Sequence, residues 1–68
     1  MNQIELLDLL TELQVKLENL NLMIDQQASK IYVPEQGRTP VVIMNDLMKE
    51  QVVNALDDVA FLKKEIQS

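Results

Sequence analysis

Leu6, Leu10, Leu13, Leu17, Leu20 and Ile24 recur at alternating spacings of four and three residues, and Ile31 extends the row with Gln27 as its single polar interruption. That repeat is the seam of a heptad helix. No Gly or Pro falls between Asn2 and Lys30, so one helix of ~40 Å can run through the segment at 1.5 Å per residue. Asn2 followed by Glu5 has the form of a capping box with Asn in place of Ser or Thr. The spacing therefore predicts a first helix over residues 3 to 30.

At 100° per residue, Leu9 and Met23 fall on one flank of this seam and Leu7 and Ala28 on the other. The apolar arc is wider than a two-stranded coiled coil needs. Ile4, Val15 and Leu22 form a rear stripe on the opposite side, among Asp8, Thr11, Glu18 and Asn19. A helix with apolar residues on both sides is suited to being sandwiched.

Pro34, Gly37 and Pro40 break the helical pattern and predict a connection over residues 31 to 44. Within it, Ile31-Tyr32-Val33 and Val41-Val42-Ile43 suit either a minimal two-stranded ribbon or an irregular crossover; a ribbon alone is marginal and must lie on other elements. Asn45 reads as the N-cap of a second helix over residues 45 to 66, with Asp46 in its first turn and Lys63 and Lys64 near its end, as the helix dipole favours. Its seam is Met48, Val52, Ala55, Val59, Leu62 and Ile66, widened by Val53, Leu56 and Ala60. Leu47 and Phe61 fall on the other flank.

The fold class that follows is all-α. It is a two-helix antiparallel hairpin forming a single domain over residues 1 to 68, with a long connecting loop. Each helix presents more apolar surface than the other can bury, so closure as a homodimeric four-helix bundle or a higher oligomer is expected. Composition points the same way. A chain of 68 residues builds a core worth only ~3–5 kcal/mol. With no Cys and no His, neither a disulfide nor a zinc site is available to staple it.

Eleven carboxylates against six basic residues give a net charge of −5, and Lys16, Lys30, Arg38, Lys49, Lys63 and Lys64 are scattered. Nucleic-acid and anionic-membrane partners are therefore not expected, because both require clustered positive charge. No run approaches a membrane span, and Glu5 and Asp8 stand where a signal peptide carries positive charge, so a cytoplasmic location is expected.

Catalysis is not expected either. Thr11, Ser29, Thr39 and Ser68 have no His to activate them, and the adjacent Asp57 and Asp58 point about 100° apart on a helix rather than into a shared pocket. Gly37 lies between Gln36 and Arg38 and is the only glycine, which excludes an EF-hand loop and a phosphate-cradling Gly-rich loop. No cofactor and no metal are expected.

What remains is binding. The leading expectation is a small acidic protein–protein interaction module, an adaptor, inhibitor or assembly factor. It would associate with itself through the two seams and bind a larger protein through helix faces, with Ile4, Val15, Leu22 and Phe61 as partner contacts. Its charge would steer it toward a basic partner surface. One alternative is an oligomeric binder of a small anion such as a nucleotide, using Lys30, Tyr32, Arg38 and Thr39 of the loop. Another is a structural subunit of a larger assembly.

Overall fold

The computed structural model describes residues 1–30 and 40–68. These form two α-helices, α1 (Gln3–Ala28) and α2 (Pro40–Gln67), packed antiparallel. The result is a rod of 53 × 16 × 15 Å. Its thickness is that of one layer of helices, so what is buried is a line between two cylinders rather than an enclosed volume.

α1 begins where the sequence places it. The Asn2 side chain accepts a hydrogen bond from the Glu5 backbone N–H at 2.8 Å, and its amide donates to Glu5 Oε1 at 3.3 Å. Asn2 itself is extended, at φ −83° and ψ 173°. One orphan N–H of the first turn is thereby satisfied locally, and the second bond holds the two side chains together. Asn2→Ala should cost about 1 kcal/mol, read as a lower thermal midpoint with unchanged helix content at low temperature. α1 ends at Ala28, two residues short of expectation, and Ser29 caps it by donating its backbone N–H to Asp25.

α2 departs more from expectation. It begins at Pro40 rather than near residue 45, so Val41, Val42 and Ile43 are helical and do not form the second strand of a ribbon. The expected first strand, Ile31-Tyr32-Val33, lies outside the described residues. Proline is well placed as the first helical residue, because its missing N–H would be unpaired there and its φ is already helical. The β-branched run behind it disfavours helix by only tenths of a kcal/mol per residue, and Val42 is half-buried. Asn45 is consequently not an N-cap. It lies in the second turn of α2 and is buried.

The two helices meet along residues 7, 10, 14, 17, 21 and 24 of α1 and residues 42, 45, 49, 52, 56, 59, 63 and 66 of α2, which include every buried residue and most of the half-buried ones. Leu10, Ile24 and Val59 are the buried apolar side chains, and even Val59, the least exposed of the described residues, keeps 3% of its surface. The contact face of α1 is thus rotated by about 50° from the heptad seam.

Candidate interaction site

That rotation divides the seam residues. Leu10 and Ile24 are buried and Leu17 is half-buried between the helices, whereas Leu6, Leu13 and Leu20 open to solvent beside them. On α2, Val59 is buried and Val52, Ala55 and Ile66 are half-buried, whereas Met48 and Leu62 are exposed. The exposed members all turn to the same side of the rod. Leu13 and Leu20 retain 44% and 46% of their surface, too much for the interior of a hairpin.

Along this open side Leu6, Leu9, Leu13, Leu20 and Met23 of α1 lie opposite Met44, Leu47, Met48 and Leu62 of α2. At the loop end the two rows converge on a groove of about 530 Å³, lined by Leu20, Met23, Ile24, Met44, Met48 and Val52, with Gln27 and Gln51 at its margin. Three of the chain's four methionines line it. Their unbranched thioethers adapt to whatever packs on them.

The line between the helices is more polar than the side beside it. Lys49 reaches from α2 to Asn21 Oδ1 at 2.6 Å and to both Asp25 carboxylate oxygens at 2.8 and 3.0 Å. Lys63 donates to Gln14 Oε1 at 3.0 Å, and near the termini Gln3 Nε2 donates to the Ile66 carbonyl at 2.5 Å. These bridges span the two helices at both ends and in the middle of the rod. They contribute little energy, because the Lys49–Asp25 pair is well exposed and such pairs are worth ~0.2–1 kcal/mol.

Asn45 occupies the same line at 5% exposure, and its Oδ1 accepts no hydrogen bond. An unmade bond of this kind costs ~1–3 kcal/mol. Asn45→Leu keeps the same branched side-chain skeleton without the unpaired polar atom, and should therefore stabilise the fold by about 1–2 kcal/mol. The check is a higher urea midpoint with an unchanged m-value.

The rear contacts expected from the sequence separate into two places. Ile4, Val15 and Leu22 lie along α1 on the side of the rod opposite the Leu/Met side, and all are exposed. Phe61 is exposed too, but it lies on the outer edge of α2, directed away from α1, and so does not share a surface with the other three. Among the loop residues considered for anion binding, Lys30 is exposed just beyond α1; Tyr32, Arg38 and Thr39 lie outside the described residues. Sequence reasoning missed Met44, Leu47 and Met23 as parts of one groove. The signal was available in their wheel positions, but it pointed to one side only once the antiparallel pairing was known.

Among the described residues there is no group of three or more His, Cys, Asp or Glu side chains arranged to hold a metal, and no helix long and apolar enough to cross a membrane. Nothing matches the chain among protein-family models, curated proteins or solved structures, so its own residues carry the functional reading.

Proposed function

We propose that this chain is a small acidic interaction module that assembles with a second copy through its open Leu/Met side and presents its other helix faces to a larger protein. The single observation that carries this reading is the apolar side running the length of the rod, continuous with the buried line and uncovered by the hairpin itself. Monomeric soluble proteins seldom leave such a surface open.

Area supports a second copy as the cover. A compact monomer of 7.8 kDa should expose about 4,400 Å², whereas this chain exposes 5449 Å². Pairing with a second copy along the open side would cover part of that excess. The split seam supports it too. In a four-helix bundle the a and d residues point at the common axis, between the two neighbouring helices, so they should be partly covered within each hairpin and partly open toward the other. Leu10, Leu17 and Ile24 alternate with Leu6, Leu13 and Leu20 in that manner.

The test is native mass spectrometry of the protein isolated gently from its own cells. The reading predicts multiples of the 7.8 kDa chain carrying a further polypeptide. A lone chain with no companion, or a chain holding only a small metabolite, contradicts it.

A further inference from the structure

The side of the rod opposite the Leu/Met groove has its own pattern. On α1, Val15, Glu18 and Leu22 follow one another at helical spacing along this side; on α2, Glu50, Val53 and Asp57 do the same. Antiparallel packing, bridged by Lys49 to Asn21 and by Lys63 to Gln14, lays these two rows side by side. One row runs apolar, acidic, apolar and the other acidic, apolar, acidic, so together they make an acidic checkerboard. All six residues are exposed, Val15 at 51% and Leu22 at 57%.

Positive charge is scarce around this patch. Lys49 is held by Asp25 and Asn21 and Lys63 by Gln14, and Lys64 continues the Glu50–Asp57 row two turns nearer the termini, beside Ala60 and Gln67. Lys16 is on the other side of the rod.

From this placement we infer that the acidic checkerboard binds a basic amphipathic helix of another protein, and so supplies the chemistry of the larger partner named in the functional reading on which this inference rests. Arginine and lysine fit each square of the pattern, because their aliphatic stems cover Val15, Leu22 and Val53 while their charged heads reach Glu18, Glu50 and Asp57. Neutral apolar helices leave those carboxylates desolvated and unpaired, and acidic ones are repelled. A second copy of this chain is excluded from the patch by the same carboxylates.

The experiment titrates the full-length protein with three synthetic peptides of about 16 residues, enough to span the patch at 1.5 Å per residue. One is a Leu/Arg helix with an apolar stripe, one a scramble of the same composition without the stripe, and one a Leu/Glu helix. The striped Leu/Arg peptide should shift the NMR methyl signals of Val15, Leu22 and Val53, bind at least tenfold tighter than the scramble, and weaken at least tenfold on going from low to high salt. Leu22→Asp should weaken it by about tenfold while leaving helicity and assembly size unchanged. Equal binding of the scramble, shifts confined to Leu13, Leu20 and Met48, or no binding by a protein shown to be dimeric each overturn the inference while leaving self-assembly intact. A protein that sediments as a monomer overturns the self-assembly reading instead.

Discussion

Leu10→Ala and Ile24→Ala should each destabilise the fold by about 2–5 kcal/mol, the cost of removing a buried large aliphatic side chain and leaving a cavity. Few chains of this size can absorb it. Leu10 and Ile24 are the only buried residues of α1, Val59 is the one buried apolar residue of α2, and a domain this small has only a few kcal/mol to lose. Circular dichroism should show both variants largely unfolded near 37 °C. Leu17, half-buried, should cost less. The sequence alone ranks Leu13 with Leu17 at the centre of the seam; in the structure Leu13 is on the open side, and its truncation should act through assembly rather than through the hairpin.

Leu13→Asp combined with Leu20→Asp should be the most damaging change to assembly. Covering the open side would require each carboxylate to lose its water with no cation opposite it, which costs several kcal/mol per group. The double variant should therefore remain monomeric at concentrations where the parent assembles, and its helicity should fall, because association is what completes the core. Val15→Asp is the control. It places the same charge on the checkerboard side, where it should leave both assembly and melting temperature nearly unchanged. Equal effects from the two sides would make the checkerboard part of the core.

The parts of this architecture legible in the sequence are those fixed by local chemistry. Asn2 and Glu5 sit three residues apart and close an N-cap without help from the rest of the fold, so the start of α1 can be read directly. The leucine repeat specifies a helix and the width of its apolar arc. It does not specify which part of the arc meets α2, because Leu6 and Leu10 are equally apolar and only the packing of α2 against one part of the arc chooses between them.

The start of α2 was hidden for a different reason. Val41-Val42-Ile43 carries strand propensity and Asn45 carries cap propensity, and both are overridden by Pro40 at the first helical position and by the burial of Asn45 within the helix. The acidic checkerboard was partly visible. The rear stripe of α1 is evident from the wheel, but its alternation with Glu50, Val53 and Asp57 exists only when the second helix is laid beside it.

The central claim is that the hairpin is half of a core. Sedimentation equilibrium of the purified protein over a concentration series from nanomolar to high micromolar, paired with melting curves at the same concentrations, tests it most directly. A mass of twice 7.8 kDa or a higher multiple at micromolar concentration, with a melting temperature that rises with concentration, is the predicted result. A folded species of 7.8 kDa across the whole series, melting at one temperature throughout, would contradict the account.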